Sequence, residues 1–254
     1  MLNWVMRIHV GIPARMGASR FPGKPLAQIA GKSMLEHVYK RSSLAKNISG
    51  IFIATCDDEI AASAASYGAK VVMTDPNIMR PGLRVAAAAK TMKINDEDIV
   101  VIVQGDEPLV HPEMIESAVL ELLAHEDFNL GTLIGKATKE EFMDVNEVKV
   151  VFNEENQILY MSRSPIPFEM NTNLESRYKQ VAIIPFRANY LQKFQIIEPR
   201  KNELIESIEL IRAIENGDKV LAIKTNRSNV SVDTPEGLVE AELAMFKDEL
   251  YGSY

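Results

Sequence analysis

One cysteine in 254 residues, Cys56, excludes an internal disulfide, and there is no pair or cluster of cysteines to hold a structural zinc. That scarcity points to a reducing compartment. The four histidines, His9, His37, His111 and His125, show no metal-ligand spacing, so a histidine-based zinc or iron site is not expected. Gly-x-x-x-x-Gly-Lys-Ser/Thr is absent, as is Gly-x-Gly-x-x-Gly, which removes the P-loop ATPases and the dinucleotide dehydrogenases. Basic excess is absent too. Lys plus Arg is 28 against 35 for Asp plus Glu, and a net charge of -7 argues against nucleic acid as a partner. No apolar run is long enough to span a bilayer, and Met1-Leu2-Asn3-Trp4-Val5-Met6-Arg7 has no basic segment ahead of an apolar core. The expectation is a cytoplasmic protein without membrane insertion.

What is present is the composition of an ordinary globular protein, 46% hydrophobic and 25% charged, long enough to bury a full core. Period analysis gives strands at 8–13, 51–55, 70–73 and 99–103, each followed by a helical pattern, at 34–45, 58–67, 85–92 and 112–125. Such alternation predicts an α/β fold with a doubly wound, mostly parallel sheet, which binds ligands outside the carboxyl ends of its strands. Beyond about residue 128 the rhythm changes to strands at 130–135, 148–152, 158–161 and 181–186, a mixed-strand extension over about 128–217 within a single domain of 1–254. The polar stretch 168–178 reads as a surface loop over a site. A helix at 203–216 ends at Gly217, a left-handed C-cap; a strand at 219–225 and a helix at 235–250 follow.

The loop after the first strand, Ile12-Pro13-Ala14-Arg15-Met16-Gly17-Ala18-Ser19-Arg20-Phe21-Pro22-Gly23-Lys24-Pro25-Leu26, gathers three cations and two glycines in an otherwise acidic chain. Glycines let backbone amides approach a polyphosphate, and Arg15, Arg20 and Lys24 can neutralise it. By composition alone a solvated basic loop fits equally well. Asp106 sits just past the apolar run 99–103, where the ligand crevice of such a sheet lies. Asp233 follows another strand and, ahead of Thr234-Pro235-Glu236, reads first as a helix cap.

These segments, together with Val103-Gln104-Gly105-Asp106-Glu107-Pro108, Ser162-Arg163-Ser164-Pro165-Ile166-Pro167 and Val232-Asp233-Thr234-Pro235-Glu236, resemble the 3-deoxy-manno-octulosonate (Kdo) cytidylyltransferase family, in order over nearly the whole chain. The resemblance implies a nucleotide-diphospho-sugar transferase-like fold and a reaction in which a 2-keto-3-deoxy sugar acid attacks the α-phosphate of CTP, giving a CMP-sugar and pyrophosphate. It implies Mg2+ on Asp106 and Asp233, which reverses the capping preference for Asp233, and phosphate neutralisation by Arg15 and Lys24. Nucleotide binding would fall to Pro13, Ala14, Arg15, Gly17, Arg20, Lys24, Gly82, Arg84 and Gln104. Sugar-acid binding would fall to Gln104, Lys149, Arg163 and Glu209, with Arg163 offering the planar cation a carboxylate prefers. A homodimer through the extension, and a product that serves lipopolysaccharide, are further implications.

Departures cluster on the base and sugar sides. Where family members carry Ser-Gly-Thr-Asp-Arg, this chain has Arg80-Pro81-Gly82-Leu83-Arg84, and Leu cannot replace a base-bonding hydroxyl. The family's Lys-His-Ile-Gly-Ile-Tyr-Ala-Tyr is here Lys179-Gln180-Val181-Ala182-Ile183-Ile184-Pro185-Phe186. Three readings are therefore carried forward: an enzyme for Kdo, an enzyme for a modified octulosonic or nonulosonic acid, and a non-catalytic nucleotide-sugar binder.

Overall fold

A computed structural model describes residues 6–17, 21–171, 177–227 and 230–254. The parallel half opens with β1 (Ile8–Pro13), followed by a 3-10 turn at Lys24–Leu26 and a small hairpin, β2 (Gln28–Ile29) and β3 (Lys32–Ser33). Helix α1 (Met34–Ser42) starts where the Ser33 hydroxyl accepts from the Glu36 N–H over 3.2 Å, a side-chain cap. There follow β4 (Gly50–Thr55), α2 (Asp58–Ser66), β5 (Val71–Met73), α3 (Pro81–Thr91), β6 (Ile99–Val103) and α4 (Pro112–Ala124). The second half comprises β7 (Leu130–Lys136), α5 (Lys139–Met143), β8 (Lys149–Phe152), β9 (Ile158–Ser162), β10 (Tyr178–Val181), β11 (Ile183–Arg187), α6 (Ala188–Ile196), α7 (Lys201–Glu206), α8 (Ile211–Glu215), β12 (Val220–Lys224) and α9 (Pro235–Met245).

The sheet runs β5-β4-β1-β6-β11-β7-β10-β8-β9, with β12 on β7. Strands β5, β4, β1 and β6 pair in parallel, and β12 is parallel to β7; β11 inserts antiparallel between β6 and β7, and β10, β8 and β9 continue antiparallel. This is the expected α/β sheet with its mixed extension. Strand β6, Ile-Val-Val-Ile-Val, is buried at every position, as a strand covered on both faces requires. One face packs Val10, Ile12 and Ile53 against Leu35, Val38 and Ile115; the other packs Phe52, Val100 and Phe186 against Val85, Ala89 and Phe194. A third cluster, Ile29, Met34, Leu109, Val232, Ala241 and Met245, ties the small hairpin to α9.

Several elements depart from the period reading. Helix α3 starts at Pro81, four residues before the apolar pattern, because a proline at the first helical position is pre-set for the helix. The strand expected at 181–186 is two, divided at Ala182, whose carbonyl accepts from Gln104 N. The helix expected at 203–216 is two short ones, divided at Ser207 with φ 54. Helices α5 and α6 fall where no helix was expected. Helix α9 ends at Met245, and Gly217 has the left-handed φ of 87 expected of it. Of the anticipated loop at 168–178, residues 172–176 lie outside the described residues, and Tyr178 already belongs to β10.

Candidate active site

Three segments from the carboxyl ends of β1 and β6 and the start of α9 converge. Lys24 Nζ donates to Asp106 Oδ2 over 2.7 Å and to Asp233 Oδ1 over 3.2 Å. Lys24 is buried, which alone would lower its pKa, but the two carboxylates outweigh burial and hold the ammonium above its usual value. Local structure explains the convergence. A Cβ on Gly105 would lie 2.8 Å from the Pro13 carbonyl, so only glycine lets the β6 turn sit this close to the β1 turn. Thr234, not Asp233, caps α9, its hydroxyl accepting from Gly237 N over 3.2 Å. The capping job falls to the neighbour, and Asp233 turns to the lysine.

Around this triad lie two adjoining cavities. The first, of about 380 Å³, is lined by Pro13, Ala14, Arg15, Lys24, Arg84, Gln104, Asp106 and Asp233 among others. The second, of about 230 Å³, is lined by Gly82, Gln104, Asp106, Arg163, Glu209 and Asp233 together with an apolar wall that includes Ala182 and Ile184. Gln104, Asp106 and Asp233 border both, which places the triad at their junction.

Not every expected residue is free to meet a ligand. Arg84 lines the first cavity, but its guanidinium donates to Thr74 Oγ1 and the Ile78 carbonyl, so it holds the cavity wall. Glu209 was expected on a sugar acid; its oxygens instead accept from Gly82 N (2.8 Å) and Leu83 N (3.2 Å), closing the open amides at the start of α3. Burial raises the Glu209 pKa, against the opposing pull of those N–H groups. Gly82 therefore borders the sugar side and serves as the close-approach partner of Glu209, in place of the expected nucleotide contact. Lys149 corrects the reading most plainly. It is fully buried and donates to the Asp144 and Glu147 carbonyls over 2.5 and 2.6 Å; it ties down a turn and lines neither cavity. Gly17 also lies outside both linings, with nothing within 4 Å of a Cβ built there. Arg20 is outside the described residues.

Arg163 does border the second cavity. Its Nε donates to the Glu206 carbonyl and its Nη1 to the Val145 and Asn146 carbonyls, which leaves Nη2 without a protein partner among the described residues. Arg15 lines the first cavity with Nη1 on Met79 Sδ, a weak acceptor that a phosphate readily displaces. Sequence reasoning left Arg80 unassigned. It borders both cavities, with Nη1 on Ser207 Oγ at 2.9 Å and Nε 3.5 Å from the buried Glu203, and the Arg80-Pro81 pair was the signal that could have found it. Phe21 and Ser207 were also missed, because each meets the site through a fold contact invisible to local pattern, whereas Gln180, noted in the sequence only as a departure from the family's histidine, borders the second cavity.

Among the described residues no three acidic, histidine or cysteine side chains form a ready metal cage. Asp106 and Asp233 still fit a hard divalent cation: both are carboxylates, each about a quarter exposed (27% and 26%), and both converge on one cationic atom.

Residues 10–223 match the family described as Cytidylyltransferase. The chain belongs to the cytidylyltransferase family. It is a nucleotidyltransferase enzyme, which sets aside the non-catalytic binder. Curated relatives include 8-amino-3,8-dideoxy-manno-octulosonate cytidylyltransferases from Shewanella baltica (strain OS195), 38% identical, and Shewanella frigidimarina, 39% identical, each over 96% of this chain and 100% of the relative. Among solved structures, a CMP:2-keto-3-deoxy-manno-octonic acid synthetase complexed with CTP superposes with a TM-score of 0.87 at 29% identity, over 95% of this chain and 99% of that one. A 4-diphosphocytidyl-2C-methyl-D-erythritol synthase, 13% identical with a TM-score of 0.65 over 95% of this chain and 99% of that one, shares the fold. Among the described residues no helix is long and apolar enough to cross a membrane.

Proposed function

We propose that this cytidylyltransferase couples CTP to an octulosonic acid of the Kdo type, releasing pyrophosphate. The observation that carries the reading is the Lys24, Asp106 and Asp233 triad at the junction of the two cavities. The curated relatives named for the 8-amino-3,8-dideoxy acid, and the CTP-bound neighbour, support it.

In this reading the triphosphate lies in the first cavity, where Arg15 and Lys24 neutralise its oxygens. The sugar acid lies in the second, its carboxylate on Arg163 Nη2 and its anomeric hydroxyl directed at the α-phosphorus. A bond forms between that oxygen and the α-phosphorus as its O–H bond breaks, the proton passing to solvent, and as the bond to the bridging α,β-oxygen breaks, so that pyrophosphate leaves. Asp106 and Asp233 would hold Mg2+, which when bound supplies positive charge against that gathering on the phosphates. Gln104, bordering both cavities and with no side-chain hydrogen bond to the described residues, orients the two substrates. The protein would act in the cytoplasm as a homodimer formed through the 128–217 extension, which light scattering at micromolar concentration tests.

The deciding experiment is pyrophosphate release from CTP and magnesium with Kdo, its 8-amino counterpart and N-acetylneuraminate. Release with either octulosonate, abolished in Asp106→Asn, is expected. Release only with N-acetylneuraminate would move the substrate to the nonulosonic acids, and silence with all three from folded protein would overturn the reading.

A further inference from the structure

Gln180, on β10, borders the second cavity and also an adjoining cleft of about 410 Å³ whose walls include Glu141, Asp144 and Glu147. It stands where the resembling family has a histidine, and its side chain has one protein partner among the described residues: Nε2 donates to Thr132 Oγ1 over 3.1 Å. Thr132 is fully buried on β7. Its hydroxyl has a single hydrogen, and the other groups near it, the Val181 carbonyl at 3.3 Å and the Leu133 carbonyl at 3.4 Å, can only accept. The threonine hydrogen therefore goes to a carbonyl, and the oxygen can only receive from Gln180. That fixes the amide's orientation, with nitrogen toward the buried threonine and Oε1 left over as an acceptor at the two cavities. A histidine in its place would offer a donor, an acceptor or a charge according to tautomer and pH; the locked glutamine offers an acceptor at every pH.

Resting on the proposed function, we infer that Gln180 Oε1 is a specificity-determining acceptor for a hydrogen-bond donor on the sugar acid, a hydroxyl or an ammonium, and that Thr132 is the positioning residue that sets its polarity. The neighbouring carboxylates make an ammonium the better-served donor. Lys179 offsets part of their charge, pairing with Glu141 at 2.7 Å and Glu147 at 3.0 Å. On this inference the altered segment is a substitution of one recognition chemistry for another, and the sugar subsite keeps its discrimination.

The experiment measures kcat and KM for CTP, Kdo and the 8-amino acid in the wild type, Gln180→Met, Thr132→Val and Thr132→Ser, with circular dichroism to establish folding. Gln180→Met keeps the length of the side chain on a half-buried strand position and removes the acceptor. Its expected effect is a rise in KM for the sugar acid of about 3- to 10-fold, larger for the 8-amino acid, with KM for CTP unchanged. Thr132→Val should reproduce the direction of that change and Thr132→Ser should restore wild-type values, which a purely structural threonine would not do. An unmoved sugar-acid KM in Gln180→Met, or an equal rise in KM for CTP, overturns this inference and leaves the cytidylyltransferase reading intact. An inactive wild type overturns both.

Discussion

Lys24 and Asp106, 82 residues apart, meet through a 2.7 Å hydrogen bond between the turns that follow β1 and β6. Asp233 shares the same ammonium, so Lys24 separates two carboxylates that would otherwise repel. Lys24→Met is expected to lower kcat/KM for CTP by about 10²- to 10³-fold, the usual effect of removing a group aimed at developing charge. In the same variant magnesium should raise the melting temperature by more than it does in the wild type, because the Lys24 ammonium no longer competes for the Asp106 and Asp233 oxygens it bonds.

The pH dependence of that pair has a definite sign. The folded-state pKa of Lys24 is raised, so the pair contributes fully below the ordinary lysine value of about 10.5 and is lost as pH rises through the raised one. Above about pH 10.5 the melting temperature should fall more steeply with pH for the wild type than for Lys24→Met, with parallel profiles below it. Equal slopes would show that Lys24 carries no excess protonation in the folded protein.

Between pH 7 and 5 the responsible group is His37. Burial, with Lys32 and Arg41 adding to it, holds its pKa below the usual value despite the bond to Ile29. The neutral ring fits its partners: Nε2 donates to the Ile29 carbonyl over 2.7 Å, and Nδ1 accepts from the Tyr254 hydroxyl over 2.8 Å. With a depressed folded value, stability is present above about pH 6.5 and declines as pH falls, because the unfolded chain takes up the proton first. The wild-type melting temperature should drop between pH 7 and 5, and His37→Gln should flatten that segment of the profile.

Much of the architecture was readable because both halves of the sheet obey simple periods. The bounds of β6 follow from an uninterrupted apolar run and those of β1 from a mostly apolar one broken at His9, and the pairing of Asp106 with the basic loop follows from strand ends facing one crevice. Period failed where a tertiary contact decides the local outcome. Ala182 splits β10 from β11 because its carbonyl receives Gln104 N, and no pattern in 181–186 announces that. Lys149 was assigned to a sugar acid by resemblance, yet its ammonium donates to two backbone carbonyls and it lines neither of the two site cavities. Strand alternation leaves open which face a residue takes, and only the neighbouring turn at 144–147 resolves it.

Gly82 and Glu209 supply a prediction of steric origin. A Cβ at Gly82 would lie 2.9 Å from both Glu209 carboxylate oxygens, inside ordinary contact distance. Gly82→Ala should displace Glu209 from the α3 amides, cost about 1–3 kcal/mol and raise KM for CTP by loosening the segment that carries Arg80 and Arg84. Combining it with Glu209→Ala removes the clash, so the double variant should be less destabilised than the sum of the two single ones in urea unfolding.

Arg41 and Asp248 extend the reasoning to the scaffold behind the site. Arg41 is fully buried, yet all three guanidinium nitrogens have partners: Nη1 donates to Asp248 Oδ1 over 2.7 Å, Nε to the Val110 carbonyl over 2.8 Å and Nη2 to the Leu109 carbonyl over 3.3 Å. One side chain thus joins the turn that follows Asp106 to the segment that follows α9, whose other end carries Asp233. Removing Asp248 leaves a buried cation without its counter-ion, so Asp248→Ala should cost about 3–5 kcal/mol in urea unfolding. Arg41→Met fills much of the space with apolar atoms and leaves Asp248, which is 21% exposed on its side chain, free to hydrate. It should therefore cost less than Asp248→Ala, even though it deletes more hydrogen bonds. The opposite order would mean that the carbonyl bonds, and not the ion pair, hold the two segments together.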